Sequence, residues 1–295
     1  MTTAPQRPRR SAMYVPAINQ RAIDKSRQLD MDTVVYDLED AVAPDKKEQA
    51  RAQLIEAFRA GGFGHRETVI RINAADTDDY GPDLDTVALC RPDAVLVPKV
   101  SSADELVDVS ERLAAKEGGT GIGVWAMIET TAALLRLEQI VERGIALRPA
   151  LGCLVVGTND IAKETGVDPG EQRRYLLPWL MQIVLVAKRH GVPVLDGVWN
   201  DFSDQAGFDA ETTQSVRMAF DGKTLIHPTQ IEPANRLFSP DARAVDEARA
   251  IVAAFELPEN AGKGVINLNG KMVERLHRDQ ARRLLAVSEA IAARG

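Results

Sequence analysis

The sequence predicts a (β/α)8 barrel followed by a C-terminal helical extension. Short apolar segments rich in β-branched residues alternate with helical segments along residues 11–238. This alternation is typical of a parallel sheet whose strands are buried on both faces. Eight such units fit a closed barrel better than an open sheet. A dinucleotide-binding sheet would place a glycine-rich turn after the first strand, where Pro16-Ala-Ile-Asn19 stands instead.

Each strand is assigned from a short run of apolar residues, and each helix from the longer segment that follows it. The predicted strands are Ser11–Val15, Thr33–Tyr36, Thr68–Ile72, Ala94–Val97, Gly123–Ile128, Leu151–Val156, Val192–Leu195 and Thr224–Ile226. The predicted helices of the barrel are Gln20–Leu29, Lys46–Arg59, Leu84–Cys90, Ala103–Ala115, Thr131–Arg143, Glu171–His190, Asp209–Ala219 and Pro228–Leu237.

The chain is divided into three parts: a flexible N-terminal tail over residues 1–10, a catalytic barrel over 11–238, and a helical extension over 239–295. The extension consists of a helix over Asp241–Phe255, a loop over Leu257–Gly270 and a final helix over Val273–Ala293. Because its apolar residues need cover, we expect the extension to pack on its own barrel or on a neighbouring subunit, with the neighbour preferred.

Composition excludes several classes of protein. The formal net charge of −7 argues against a dedicated nucleic-acid binder. No segment approaches the roughly 20 apolar residues of a membrane span, and the first residues lack the apolar core of a secretory signal. Two cysteines exclude a disulfide scaffold, and four scattered histidines do not suggest zinc. These observations predict a cytoplasmic protein.

Polar residues follow most of the predicted strands. In a (β/α)8 barrel the functional site lies at the carboxyl ends of the strands, so these residues are expected to share one pocket. The second strand leads into three carboxylates within four residues, which are costly unless a cation, an arginine or water meets them. The residues are Asp37, Glu39, Asp40, Arg71, Asn73, Lys99, Glu129, Asn159, Asp160, Asp196 and His227.

Glu129 and Asp160 are the candidate metal ligands. Each comes at the end of an apolar strand, and two carboxylates with waters and substrate oxygens suit Mg²⁺ or Mn²⁺. Such an ion polarises a substrate carbonyl and stabilises an enolate. The alternative is that Glu129 caps the helix that follows it.

Three further side chains have two interpretations each. Arg71 either binds a substrate carboxylate bidentately or forms an internal ion pair with Asp37 or Glu39, and both can hold at once. Lys99 either forms a Schiff base or, as we favour, neutralises nearby carboxylates. His227 is either a general base or a ligand or backbone contact at a helix start.

Ordered motifs over nearly the whole chain resemble the citrate lyase beta-subunit-like family of CoA-thioester lyases, which includes malyl-CoA and citramalyl-CoA lyases. The motifs are Met13-Tyr-Val-Pro16, Asp37-Leu-Glu-Asp-Ala-Val42, Arg71-Ile-Asn73, Val97-Pro-Lys99, Ile128-Glu-Thr130, Gly157-Thr-Asn-Asp160, Asp201-Phe-Ser-Asp204 and Ile226-His-Pro-Thr-Gln230. The resemblance implies a barrel of the phosphoenolpyruvate/pyruvate type, dependence on Mg²⁺, a CoA thioester as substrate, and a homotrimer or hexamer.

The resemblance also implies roles for individual residues. Glu129 and Asp160 would bind Mg²⁺, and Arg71 would clamp the oxoacid carboxylate. The acidic segment with Lys99 would support them from outside the ligand set. Glu274, in Gly270-Lys-Met-Val-Glu274, stands where the family has a catalytic aspartate that reaches a neighbour's site. The residues implied to contact the acyl-CoA are Tyr14, Arg21, Lys25, Asn159, Ile226 and His227.

The predicted function is a Mg²⁺-dependent carbon–carbon lyase that cleaves or forms a 3-hydroxyacyl-CoA such as malyl-CoA, methylmalyl-CoA or citramalyl-CoA. Three alternatives stay open: a metal-dependent aldolase on free 2-oxoacids, the beta chain of a multi-subunit citrate lyase, and a binding barrel without catalysis.

Overall fold

The computed structural model describes residues 7–294, and the barrel within them is closed. Eight parallel strands pair in sequence order, and β1 pairs with β8 to complete the ring. All eight predicted strands are confirmed, with ends that shift by one or two residues. The strands are β1 Ser11–Pro16, β2 Thr33–Asp37, β3 Glu67–Arg71, β4 Ala94–Val97, β5 Gly123–Ile128, β6 Leu151–Val156, β7 Val194–Asp196, β8 Gly222–Leu225, β9 Val265–Leu268 and β10 Lys271–Glu274.

Helices separate the strands as expected, but several begin elsewhere than predicted, among them α8, which begins at Leu177 and not at Glu171. Two further differences concern the number of helices. The predicted helix at Thr131–Arg143 is two helices, and a further short helix follows β6. The helices are α1 Gln20–Ser26, α2 Lys47–Ala60, α3 Tyr80–Cys90, α4 Ala103–Ala114, α5 Thr131–Leu135, α6 Leu137–Ile145, α7 Thr158–Thr165, α8 Leu177–His190, α9 Gln205–Arg217, α10 Ile231–Phe238, α11 Ala242–Glu256 and α12 Arg275–Ala292. Among the described helices, none combines the length and the apolar sequence needed to cross a bilayer.

Strand alternation decides which side chains enter the barrel. Buried apolar residues from alternating strand positions, among them Val35, Val69 and Trp125, fill its interior. Asp37, Arg71 and Met127 lie two residues further along the same three strands, so their side chains face the same inner side. The barrel core therefore passes directly into the polar mouth.

The start of the barrel differs from the prediction. The flexible tail was placed over residues 1–10, of which residues 1–6 lie outside the described part. Arg10 pairs with buried Asp32 through Nη2 and Oδ1 at 2.8 Å. Arg9 pairs with Glu67 through Nε and Oε2 at 2.7 Å and stacks over the Trp125 ring. The tail prediction is therefore wrong for Arg9 and Arg10.

The described chain divides into two compact units: one runs from Arg9 to Asn235, and the other contains the residues from Arg236 onward with those before Arg9. In the second unit, α11 packs against α12, and β9 and β10 form an antiparallel hairpin. This hairpin replaces part of the loop predicted over residues 257–270. Its turn is Asn269-Gly270, both with positive φ, which matches the right-handed twist of hairpin strands.

A buried charge network lies outside the barrel strands at β7 and β8. Asp196 and Lys223 are fully buried, and their carboxylate and ammonium are 2.9 Å apart. Arg173 adds a second cation at 2.7 Å from Asp196. Burial alone would raise the pKa of Asp196, but Lys223 and Arg173 outweigh it and hold that pKa well below its usual range.

Asp196→Asn is expected to lower the free energy of unfolding by about 3 kcal/mol at pH 7, because it removes a buried carboxylate that Arg173 and Lys223 share and leaves both cations to Glu211. A carboxylate with a depressed pKa stabilises the fold above its unfolded pKa, so the difference from wild type should shrink as pH falls below about 4. Urea unfolding at several pH values measures it. Asp85→Asn removes a 64% exposed partner of Lys116 and should change stability by less than about 1 kcal/mol.

Candidate active site

A cavity of ≈ 340 Å³ opens at the carboxyl ends of the strands. Most of the predicted site residues lie at or beside it, since they follow strands that end at this rim. The predicted residues that line it are Tyr14, Asp37, Asp40, Arg71, Asn159, Asp160 and Ile226. The cavity thus combines an acidic segment, an arginine and a candidate metal ligand.

Arg71 is held by the acidic segment after β2. Asp37 and Arg71 are partners in the β2–β3 register, and the carboxylate accepts from Nε and Nη2 at 2.7 Å each. Glu39 Oε2 lies 2.8 Å from Nη1, and Asp40 is more distant at 3.5 Å. The internal ion pair anticipated for Arg71 is therefore present. Besides the two N–H groups bonded to Asp37, the guanidinium has further N–H groups that can bind another anion.

Burial raises the pKa of Glu39. Its side chain is almost inaccessible, and burial raises the pKa of its carboxyl to about 8, although the Arg71 charge opposes this rise. Asp37 also accepts backbone N–H bonds from Glu39 and Ala41, which shape the acidic segment into a tight turn. The Asp37 carboxylate therefore orients both the turn and the Arg71 guanidinium.

Tyr14 lies inside the cavity. Its ring is 4.9 Å below the Arg71 guanidinium, and its hydroxyl is 4.0 Å from Met127 Sδ. Burial raises the pKa of the Tyr14 hydroxyl. Arg21 and Lys25, in contrast to Tyr14, are exposed to solvent and lie one turn apart on α1.

Glu129 is fully buried, and the proposal that it caps a helix is wrong. The cap of α5 is Thr130, whose hydroxyl accepts from the N–H of Ala133 at 3.0 Å. Glu129 Oε1 instead accepts from the Lys99 N–H at 2.7 Å, and Oε2 has no hydrogen-bond partner among the described residues. Burial raises the pKa of Glu129 to about 7.

Asp160 lies on α7, a helix that the sequence analysis missed. Gly157-Thr-Asn-Asp160 was interpreted as a strand end, but Thr158 begins the helix and Asp160 is in its first turn. Lys99 connects the two candidate ligands, since its ammonium is 2.6 Å from Asp160 Oδ1 and 3.5 Å from Glu129 Oε1. Burial lowers the pKa of Lys99, but the hydrogen bond to Asp160 and the charge of Glu129 outweigh this effect. The pKa of Lys99 is therefore raised overall.

The donor set at this position fits a divalent cation. Its ligand atoms are carboxylate oxygens, which hard ions such as Mg²⁺ prefer. The partnerless Oε2 of Glu129 is an oxygen that an ion could satisfy, and the Lys99 ammonium shows that a cation is accommodated between the two carboxylates. Gly157 keeps the space beside Glu129 clear, because a Cβ there would collide with Oε2.

Asn159 lies at the cavity wall, whereas His227 and Glu274 are not among the residues that line the cavity. Asn159 exchanges amide hydrogen bonds with Asn200, at 2.9 and 3.2 Å. His227 stacks on Phe202 at 4.8 Å, and its Nδ1 accepts from the N–H of Thr229. Glu274 is the last residue of β10, where its N–H donates to His277 Nδ1 at 2.9 Å. Its catalytic role stays a prediction.

Met127, Asn200 and Lys47 are among the residues of this region that were not predicted from the sequence. Met127 and Asn200 line the cavity. Lys47 is buried and donates to the carbonyls of Leu38 and Glu39 at 2.6 and 2.7 Å, which holds the acidic turn in place. Met127 could have been predicted from strand alternation along β5. Lys47 lies at the start of a helix, and no sequence pattern marks it.

Comparison with known proteins identifies the family of this chain. Residues 10–228 match the HpcH/HpaI aldolase/citrate lyase family. The chain belongs to this family. The resemblance found in the motifs is confirmed, and the protein is an enzyme of this family.

Three relatives illustrate the match. A (3S)-malyl-CoA thioesterase of Cereibacter sphaeroides strain KD131 is 42% identical over 97% of this chain and 96% of its own. An L-malyl-CoA/beta-methylmalyl-CoA lyase of C. sphaeroides strain ATCC 17025 is 32% identical over 98% and 97%. The crystal structure of CitE from Mycobacterium tuberculosis in complex with magnesium, acetoacetate and coenzyme A superposes with a TM-score of 0.75 at 25% identity, covering 96% of this chain and 98% of that one.

Gly157→Ala is expected to displace the Glu129 carboxylate and to lower activity about 100-fold or more, because a shift of about 1 Å at a reacting group has this effect. Steady-state kinetics measure the rate, and circular dichroism should show an intact fold. Gly81→Ala is the matched control, since its added Cβ meets nothing within 4 Å and its backbone φ is ordinary. Equal rates in the two variants would contradict the packing argument.

Proposed function

We propose that the protein is a Mg²⁺-dependent carbon–carbon lyase that acts on a 3-hydroxyacyl-CoA such as malyl-CoA, methylmalyl-CoA or citramalyl-CoA. The products are an acyl-CoA and glyoxylate or pyruvate. The observation that carries this proposal is the pair Glu129 and Asp160 beside a cavity that also contains Arg71. Two relatives support it by name, a malyl-CoA lyase and a CitE bound to magnesium and coenzyme A.

Glu129 and Asp160 would hold the ion, which when bound polarises the substrate oxygen that becomes the carbonyl. Arg71 binds the carboxylate of the oxoacid half with N–H groups that Asp37 does not use. Asp37 and the turn after β2 prevent the guanidinium from rotating, so the carboxylate meets a donor pair already in position.

The hydroxyl that becomes the carbonyl loses its proton as the carbon–carbon bond breaks. The acyl-CoA half keeps the electrons of that bond and takes up one proton at carbon, so the overall reaction balances. A carboxylic acid is a suitable donor, and we assign this role to Glu274 of a neighbouring subunit. Arg21 and Lys25 are exposed cations suited to CoA phosphates, and Tyr14, Asn159, Ile226 and His227 would contact the rest of the thioester. The extension over residues 239–295 then packs on a neighbour in a homotrimer or hexamer of a cytoplasmic enzyme.

Hydrolysis of the same thioester is the second candidate. The observation that favours it is the 42% identity to a (3S)-malyl-CoA thioesterase over nearly the whole chain. Both reactions need the same substrate to be held in the same cavity. They differ in which bond breaks: the lyase breaks a carbon–carbon bond, and the thioesterase breaks the bond between the acyl carbon and sulfur.

Incubation with malyl-CoA, methylmalyl-CoA and citramalyl-CoA separates these reactions through their products. We expect glyoxylate or pyruvate with an acyl-CoA, whereas free CoA with the intact hydroxyacid would establish the thioesterase. EDTA should stop turnover in either case. If calorimetry shows no CoA binding and free 2-oxoacids react, the aldolase is established. Turnover of a carrier-bound acyl group alone would indicate a citrate lyase beta chain.

Glu129→Gln and Asp160→Asn are each expected to reduce kcat about 100-fold or more with Mg²⁺ present, because each removes a charged ligand of the ion. The matched control is Glu138→Gln, in a carboxylate–histidine group with Glu142 and His190. Its turnover should equal that of wild type. Wild-type rates in the Glu129 or Asp160 variant would refute the metal assignment.

Arg71→Lys is expected to raise KM for the hydroxyacyl-CoA about tenfold or more, because an ammonium cannot serve Asp37 and a second carboxylate with paired N–H groups. Initial-rate kinetics test this. The control is Arg51→Lys, which alters an arginine paired with Asp79 and Asp83. A KM unchanged in Arg71→Lys would remove Arg71 from substrate binding.

A further inference from the structure

Lys99 contacts both carboxylates of the proposed metal pair. It follows β4 with φ of 52°, a left-handed conformation that residues other than glycine rarely adopt. Its backbone N–H donates to Glu129 Oε1 at 2.7 Å. Its ammonium lies 2.6 Å from Asp160 Oδ1 and 3.5 Å from Glu129 Oε1. A backbone that departs from common geometry thus brings two donors of one residue to the two carboxylates.

The ammonium balances the charge of this pair. The ion pairs described for Glu129 and Asp160 are made with Lys99. Arg71, a second cation at the cavity, is engaged by Asp37 and Glu39. Two carboxylates that share a site repel each other unless a cation lies between them. The Lys99 ammonium therefore offsets the repulsion between the two carboxylates and keeps them close together.

The ammonium and a divalent ion require the same oxygens. An ion that both carboxylates bind would lie where the Lys99 ammonium contacts Asp160 Oδ1 and approaches Glu129 Oε1. Like charges exclude both from this position. The Lys99 side chain is 33% exposed and has a flexible four-carbon stem, so the ammonium can turn towards solvent while the backbone stays in place.

We propose that Lys99 is a built-in competitor of the divalent ion, a role that rests on the proposed metal site. The ammonium holds Glu129 and Asp160 together and leaves Asp160 when the ion binds. Lys99 therefore weakens metal affinity and keeps metal binding reversible. It acts on the ion through the carboxylates and is a positioning residue.

The test is the affinity of the full-length, metal-depleted protein for Mn²⁺, measured at one fixed pH by the electron paramagnetic resonance of free Mn²⁺. Lys99→Met should lower the dissociation constant for Mn²⁺ about two- to fivefold, the size expected when one partly exposed ion pair is removed. Lys99→Arg keeps the charge and should stay within about twofold of wild type. Lys116→Met is the control, since Lys116 has a side chain of similar exposure, 32%, and pairs with Asp85.

Thermal unfolding gives a second readout. The rise in Tm that Mn²⁺ produces should be larger in Lys99→Met than in wild type. Lys99→Gln provides the same charge removal with a polar side chain if Lys99→Met folds poorly.

The outcomes separate this inference from the proposed function. If Glu129→Gln abolishes Mn²⁺ binding but Lys99→Met leaves it unchanged or weaker, the competitor role is refuted and the metal site stands. If wild type binds no Mn²⁺, or binds it equally well after Glu129→Gln, the metal site and the competitor role both fail.

Discussion

The ion pair between Asp37 and Arg71 is the interaction on which the cavity depends. The two residues are register partners on adjacent strands, so the barrel itself brings their charges together. The Asp37 carboxylate then uses its remaining capacity for backbone N–H groups of the turn after β2. Removing either residue would break a two-bond ion pair between buried charges, which is strongly destabilising. The pair therefore fixes the strand ends, the acidic turn and the guanidinium at once.

Lysines take different parts in this charge balance according to their burial. Lys47 is buried and donates to backbone carbonyls, so it holds a turn. Lys223 is buried opposite Asp196 and ties β8 to β7. Lys99 is partly exposed, and its partners are the two carboxylates proposed to bind an ion. Only a lysine that can reach solvent is able to exchange its place with another cation, and among these three Lys99 has that freedom.

The sequence predicted the barrel well because each strand is a local apolar run and the closed ring follows from repetition. Arg71 was found because strand alternation carries it inward, and Glu129 because it directly follows an apolar strand. Helix α7 was missed because Gly157 precedes it and the polar residues Thr158 to Asp160 resemble a loop. The β9–β10 hairpin was missed although Asn269-Gly270 is its turn signal. Lys47 was missed because its carbonyl partners come from the turn before its helix.

Arg9 covers the end of the barrel where the strands begin, opposite the cavity. Its guanidinium pairs with Glu67, donates to the carbonyl of Gly152 at 2.7 Å and covers the Trp125 ring. The first residue of β1 is Ser11, so a boundary chosen from the strands alone would discard this arginine. A recombinant version trimmed to Ser11 would leave the Glu67 carboxylate without its guanidinium and the indole open to water. Deletion series and fusion junctions for this chain should therefore begin before Arg9.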